Sequence, residues 1–284
     1  MSQTARNETG SFFVFRFHEK RKGSKMSKDA RPSMERSGFM LRFTGRNGGC
    51  GMSRTIVALD FSSKEEVFDF LKQFDQPITV KIGMELTYAE GLDMVRQVKA
   101  MGHDVFLDLK LHDIPNTVKG GMKNLAGLGA DIVNCHAAGG VEMMKAAKEG
   151  IELGAGEGKK PLVIAVTQLT STSKEAMNEQ QGIPGEVIDS VIRYAKAAKE
   201  AGLDGVVCSV HEAKKIKEAC GDDFLTVTPG IRLATDSKDD QKRVATPEFA
   251  KEQGCDYIVV GRSITKANDP KAVFEQIEAV MSGE

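Results

Sequence analysis

The sequence predicts an α/β protein whose main domain is a closed parallel (β/α)8 barrel, a TIM barrel, and three observations carry that prediction. From Thr55 onward, short β-branched runs alternate with helical patterns; the strand-then-helix unit recurs eight times; and the eight units occupy only about 230 residues. Repetition of strand then helix implies parallel pairing through right-handed crossovers. Eight such units in that length favour a closed barrel over an open doubly wound sheet.

The expected strands cover residues 55–60, 78–82, 104–110, 131–135, 162–167, 205–208, 225–228 and 257–260, each a short run suited to a buried strand. Between and after them, helical patterns cover residues 65–74, 86–101, 118–128, 141–153, 186–201, 212–219, 247–253 and 270–281. Gly102, Gly129, Gly202 and Gly254 each follow a helix and precede a strand, where a left-handed C-cap is expected. The run Gly154-Ala155-Gly156-Glu157-Gly158-Lys159-Lys160 looks like a phosphate loop. It follows a helix and precedes a strand, the reverse of the order such a loop needs, so it reads as a flexible αβ connection. Residues 168–184 and 233–246 are long polar βα loops; surface excursions and mobile lids both fit them.

An apolar fraction of 40% in 284 residues supports a sizeable core, in one large domain or two small ones. Charge is distributed unevenly. Residues 1–51 carry eleven Lys or Arg against four Asp or Glu, which leaves the remaining chain at formal net −8 although the whole is at −1. That segment lacks sustained periodicity and ends in Asn47-Gly48-Gly49-Cys50-Gly51 just before Met52, so it reads as a disordered basic extension, with residues 52–284 as the catalytic barrel. Two origins stay open for it. One is a translated upstream region with Met52 as the natural start; the other is a basic targeting or tethering arm, which Glu8, Glu19, Asp29 and Glu35 fit poorly.

The mildly acidic body argues against a nucleic-acid surface on the folded part. Cys50, Cys135, Cys208, Cys220 and Cys255 show neither a CxxC nor a His/Cys ligand spacing, as expected for a reduced, cytoplasmic protein. No apolar run approaches the ~20 residues of a membrane span. The stretch Ser11-Phe12-Phe13-Val14-Phe15-Arg16-Phe17 is too short and interrupted for a signal peptide.

In a barrel the chemistry sits where strands end. The third strand is the most informative. Strand alternation in Asp104-Val105-Phe106-Leu107-Asp108-Leu109-Lys110 puts Phe106, Asp108 and Lys110 on one face, with the carboxylate and ammonium roughly 6.5 to 7 Å apart along the strand. Burying either unpaired is costly. Lys81, in the second strand, has no sheet edge over which to reach solvent, so it needs a partner, and Asp108 on the next strand is the obvious one. Asp113 stands two residues before Pro115; helix capping and catalysis both fit it, and the residues alone slightly favour the cap. Asp60 ends the first strand, and the fourth leads to His136. The fifth leads to Thr167 and Thr170, and the sixth to Ser209. His112 and His136 read as structural.

Gly230 with Arg232 after the seventh strand, and Gly261-Arg262 after the eighth, fit a phosphate site. There, backbone N–H groups and a helix start receive the dianion and a guanidinium grips two oxygens.

The block Asp108-Leu109-Lys110-Leu111-His112-Asp113-Ile114-Pro115-Asn116-Thr117 closely resembles the active-site segment of the orotidine 5′-monophosphate decarboxylase family, in its bacterial, single-domain form. Ala58-Leu59-Asp60, Val80-Lys81-Ile82-Gly83, Thr167-Gln168-Leu169-Thr170-Ser171, Thr228-Pro229-Gly230-Ile231-Arg232 and Val260-Gly261-Arg262-Ser263 resemble it too, in the same order and spacing. The resemblance runs from about Thr55 to the C-terminus and implies decarboxylation of orotidine 5′-monophosphate to UMP, the last step of pyrimidine synthesis, with no cofactor and no metal. It implies that Lys110 donates the proton within a Lys81, Asp108, Lys110 and Asp113 network. It further implies a homodimer in which Asp113 and Thr117 reach into the partner's site. Asp60 and Lys81 would hold the ribose, Thr170 the pyrimidine, and Arg232, Gln241, Gly261 and Arg262 the phosphate.

Three rivals stand beside it. A Mg²⁺-dependent sugar-phosphate decarboxylase or aldolase of the same barrel suprafamily uses the same Asp-x-Lys-x-x-Asp spacing, but Lys81 and Lys110 oppose a divalent cation beside Asp108 and Asp113. A non-catalytic nucleotide-phosphate-binding barrel needs the arginines but no Lys/Asp network. Nucleic-acid binding through residues 1–51 predicts salt-sensitive binding that deleting the arm abolishes.

Overall fold

The computed structural model describes residues 52–233 and 245–283; the expected extension over 1–51 and the phosphate-site candidate Gln241 lie outside them. Eight strands close a barrel in sequence order: β1 (Thr55–Ala58), β2 (Thr79–Gly83), β3 (Asp104–Leu111), β4 (Ile132–His136), β5 (Leu162–Val166), β6 (Gly205–Val207), β7 (Leu225–Ile231) and β8 (Tyr257–Val260). Every neighbouring pair is parallel, and β8 pairs with β1. All eight expected strands are present. β7 runs beyond the expected stop at 228, through Pro229 and Gly230, with a register shift against β8 between Pro229 and Ile231.

Alternation along the strands makes two apolar layers. Ile56, Ala58, Phe106, Ile132, Ile164, Val227 and Val259 fill the barrel interior, with Met52 and Tyr257 packed against them. Val57, Val80, Ile82, Val105, Leu107, Val133 and Ala165 point outward into a second core shared with the helices. Burying each such large aliphatic side chain contributes roughly 1.5–3 kcal/mol.

Helix α1 (Lys64–Leu71) is capped by Ser63, whose side chain accepts the Glu66 N–H. The single helix expected over 86–101 is instead two, α2 (Met84–Glu90) and α3 (Asp93–Ala100). The break is at Gly91, whose φ of +81° closes the first helix. There follow α4 (Pro115–Ala126), α5 (Gly140–Ala155), α6 (Val187–Glu200), α7 (Val210–Cys220), α8 (Pro247–Glu252), the short α9 (Arg262–Thr265) and α10 (Pro270–Ser282). Gly154, expected in a loop, belongs to α5. A Cβ there would stand 2.1 Å from the Lys123 carbonyl oxygen of α4, so the two helices touch backbone to backbone. Gly102, Gly129, Gly202 and Gly254 all have positive φ, as expected.

At the end of the barrel where strands begin, one device recurs. Asp131, Asp204 and Asp256, each just before an even-numbered strand, accept the N–H of Val105, Val163 and Thr226 on β3, β5 and β7 at 2.7–2.8 Å. Each is paired with a lysine from the outer ring: Lys99, Lys148 and Lys217 respectively. Glu278 of α10 does the same for β1, accepting from Thr55 at 2.7 Å. Fixed carboxylates thus set the starts of the odd strands, which leaves the opposite ends free for chemistry.

Candidate active site

Register dictates which polar side chains enter the barrel. Ala58 pairs with Lys81 and Lys81 with Phe106, so Lys81 faces inward beside two residues of the interior layer. Gly83 pairs with Asp108 in the next inward row. A Cβ at Gly83 would stand 2.9 Å from Lys81 Nζ; the glycine leaves the ammonium its space.

The expected alternation of Phe106, Asp108 and Lys110 holds only as far as Asp108. Leu107 pairs with Val133 but Leu111 pairs with Cys135, so β3 uses four steps where β4 uses two. Within this bulge Lys110 has φ +52°, the left-handed region, and among the described residues no other non-glycine has a positive φ. Its ammonium thereby turns back onto Asp108, with Nζ 2.7 Å from Oδ1.

The charges form one chain. Lys81 Nζ lies 3.2 Å from Asp60 Oδ1 and 3.7 Å from Asp108 Oδ2, and Lys110 holds the other oxygen of Asp108. The Asp108 side chain is only 11% exposed, while that of Asp60 is 62% exposed at the rim. Burial pushes the Asp108 carboxyl up, but the Lys81 and Lys110 ammonium groups, with hydrogen bonds from Lys110 and Asn134, outweigh it and hold it below the ordinary carboxylate range. Asp108 is therefore an anion at neutral pH.

Asn134 on β4 escaped the sequence reading. It is 1% exposed; its Nδ2 donates to Asp108 Oδ1 at 2.6 Å and its Oδ1 accepts the Lys110 N–H at 2.8 Å. The signal was an amide inside the strand Ile132-Val133-Asn134-Cys135-His136, at an inward position. His136 and His112 stack at a ring distance of 5.5 Å; burial pushes His136 down, and His112 and Lys110 push the same way.

A cavity of about 200 Å³ opens over this array, lined by Lys81, Asp108, Lys110, Gln168, Thr170 and Ser171 among others. Thr170 is thus among the residues lining the cavity. Gln168, also missed as a site residue, is 5% exposed and tied to Ser190 of α6. Gly261 caps α9, and a Cβ on it would stand 3.9 Å from Asp60 Oδ2, which puts the start of α9 beside the same mouth. Arg262 is the first residue of α9, and Arg232 directly follows β7.

Asp113 and Thr117, expected to serve the partner's site, lie just past β3. Both are exposed at the start of α4. The capping position of α4 belongs to Ile114, so Asp113 is not the helix cap; its Oδ1 instead accepts the adjacent Ile114 N–H at 2.6 Å. Pro115 occupies the first turn and needs no capped N–H of its own.

Among the described residues, no three His, Cys, Asp or Glu side chains gather into a metal site. Burial pushes the Cys135 thiol up to about 12 and Cys255 to about 11, so neither is a nucleophile at neutral pH.

The fold and the site define a (β/α)8 barrel enzyme class in which fixed charges at the strand ends surround a small cavity. Residues 53–277 match the Orotidine 5′-phosphate decarboxylase / HUMPS family. An orotidine 5′-phosphate decarboxylase of Lysinibacillus sphaericus is 60% identical over 224 residues, 78% of this chain and 96% of that one. A Listeria monocytogenes orotidine 5′-phosphate decarboxylase is 57% identical over 227 residues, 80% of this chain and 97% of that one. Among solved structures, an orotidine 5′-phosphate decarboxylase from Lactobacillus acidophilus matches with a TM-score of 0.73 at 44% identity, covering 81% of this chain and 99% of that one. An uncharacterized conserved protein from Geobacillus kaustophilus matches with a TM-score of 0.73 at 50% identity, covering 80% of this chain and 99% of that one. The chain belongs to the orotidine 5′-phosphate decarboxylase / HUMPS family.

Proposed function

We propose that this protein is a cytoplasmic orotidine 5′-monophosphate decarboxylase that releases CO2 and forms UMP without a cofactor. The observation that carries the reading is the Lys81–Asp108–Lys110 array lining the cavity of a chain in this family. When the bond from the pyrimidine ring to the carboxylate breaks, its electron pair stays on the ring carbon and CO2 departs. Nothing in the ring delocalises that pair, so stabilisation must come from preorganised charge. The Lys110 ammonium supplies it and then delivers its proton to the same carbon; Lys110 recovers a proton from solvent before the next turnover. Asp108, anionic at neutral pH, holds the Lys110 side chain in place through the 2.7 Å contact.

Asp60 and Lys81 at the rim suit the ribose hydroxyls, and Thr170 suits the pyrimidine. Arg232, Gly261, Arg262 and, outside the described residues, Gln241 suit the phosphate. Binding energy from the phosphate would be used at the distant reacting carbon, so a substrate without it should lose turnover as well as affinity.

The homodimer belongs to the same proposal. Asp113, Ile114 and Thr117 are exposed, Ile114 at 66%, just past the end of β3. Met84 and Tyr88 are exposed one helical turn apart on α2, just past β2, the neighbouring strand, and Leu92 is exposed just beyond the break at Gly91. An apolar patch beside the mouth of the site supports a partner seated there, with its Asp113 and Thr117 completing the site.

The test follows loss of substrate absorbance in EDTA for the full chain, a chain starting at Met52, and Lys110→Ala. Activity in the first two and a loss of at least about 1000-fold in the third is expected. A folded full chain without turnover, or turnover only with Mg²⁺, would overturn the reading.

A further inference from the structure

We propose that Asn134 is a positioning residue for this reaction: one buried amide holds both the backbone of Lys110 in its left-handed conformation and the carboxylate of Asp108 against the ammonium. The inference rests on the decarboxylase reading and deepens it.

The bulge in β3 is what makes such a residue necessary. Two extra residues between Leu107 and Leu111 take Lys110 out of the backbone ladder with β4, and its φ of +52° is a conformation that an L side chain adopts only at a cost of roughly 1–2 kcal/mol. The Lys110 N–H then has no strand carbonyl opposite it. A buried donor without a partner is costly, and the Asn134 side chain takes that role at 2.8 Å. With φ released, the Lys110 side chain would leave the line that brings its ammonium to 2.7 Å from Asp108.

The other end of the same amide donates to Asp108 Oδ1 at 2.6 Å, the oxygen that also receives Lys110 Nζ. The orientation of the amide is therefore determined. Turned over, its NH2 would face the Lys110 N–H and its oxygen would face a carboxylate, two repulsive contacts in place of two bonds. An amide suits this position because it is neutral. Asp108 already meets two cations, Lys81 and Lys110, with His136 and His112 close by, and a third cation would unbalance the set. A second carboxylate would compete with Asp108 for both lysines. At 1% exposure, Asn134 is shielded from solvent, so its two bonds are made inside the protein. It lies behind the charged pair and does not line the cavity, so it acts through Lys110 and Asp108 rather than on substrate.

The test compares Asn134→Asp and Asn134→Ala with the wild-type chain in kcat, KM, thermal unfolding and the pH dependence of kcat. Wild-type turnover is the control for the decarboxylase reading; its absence overturns that reading before Asn134 is judged. With the wild type active, kcat should fall about 100-fold or more in each folded variant while KM stays near the wild-type value. In Asn134→Asp the acidic limb of kcat should also move up by about one pH unit, because two carboxyls would then share one site. A purely structural residue would lower the active fraction and leave that limb unmoved. Should Asn134→Asp fail to fold, the kcat against KM split of Asn134→Ala decides. Wild-type kcat in a folded variant, or loss confined to the folded fraction with an unchanged limb, overturns the proposal.

Discussion

Lys81 bridges Asp60 and Asp108, with its ammonium 3.2 Å from the first and 3.7 Å from the second, so one cation from β2 joins the exposed rim of the site to its buried floor. The bridge makes Asp108 the anion between two lysines, and the consequence can be measured.

Asp108→Asn keeps the size of the side chain but leaves Lys110 without its carboxylate partner and Lys81 with only the exposed Asp60. We expect a loss of about 3 kcal/mol in urea unfolding together with a collapse of turnover, since uncompensated buried charge is the costly case. An unchanged unfolding midpoint would mean that the pair contributes little to the fold and that solvent screens it.

Subunit mixing tests the shared site. Lys110→Ala and Asp113→Asn, each inactive alone, should regain activity when mixed under conditions that exchange subunits, because the hybrid dimer carries both lesions in one site and neither in the other. Mixtures that stay inactive while sedimenting as dimers would count against Asp113 serving the partner's site.

Acid stability should trace the buried carboxylates. Burial raises Asp131, but hydrogen bonds from Lys159, Lys99 and the Val105 N–H hold it below the ordinary range, and Asp108 is held low by its own lysines. A folded-state value below the unfolded one gives stability that is fully present above the unfolded pKa, about 3.9, and is lost as pH falls through the folded value. The unfolding free energy should therefore be level in these two groups above about pH 5 and decline below about pH 4. Asp131→Asn should lower stability at pH 7 by about 2 kcal/mol and flatten the acid slope; equal slopes in the two proteins would refute the assignment.

Gly150→Ala opposes two effects of known sign. Helix propensity favours alanine by about 1 kcal/mol. The new Cβ would, however, stand 2.3 Å from the Lys119 carbonyl oxygen and 3.0 Å from Met122 Cβ, and overpacking of that kind costs about 1–3 kcal/mol. Net destabilisation in chemical denaturation is expected, and a stabilised variant would show that α4 and α5 can part without cost.

The strands were legible because each is a short apolar run, and their order followed from the handedness of the crossovers. The break at Gly91 was not legible, since helical periodicity continues through it and only the backbone reveals a φ of +81°. Pro115 two residues on made Asp113 a capping candidate beside its catalytic one, yet Ile114 takes the capping position, because the prolyl ring sets where the first turn begins.

The sequence by itself determined the barrel, the lysines and carboxylates at its strand ends and the family resemblance, because those depend on periodicity and on residue type at fixed spacing. Only the tertiary structure decided how the charges meet. Strand alternation predicts Asp108 and Lys110 on one face, but it stops at Asp108, and the two-residue bulge, the positive φ of Lys110 and the Asn134 amide bring the two charges to 2.7 Å. The bulge arises between β3 and β4, and its partner residue lies 24 positions away, so no local pattern contains it.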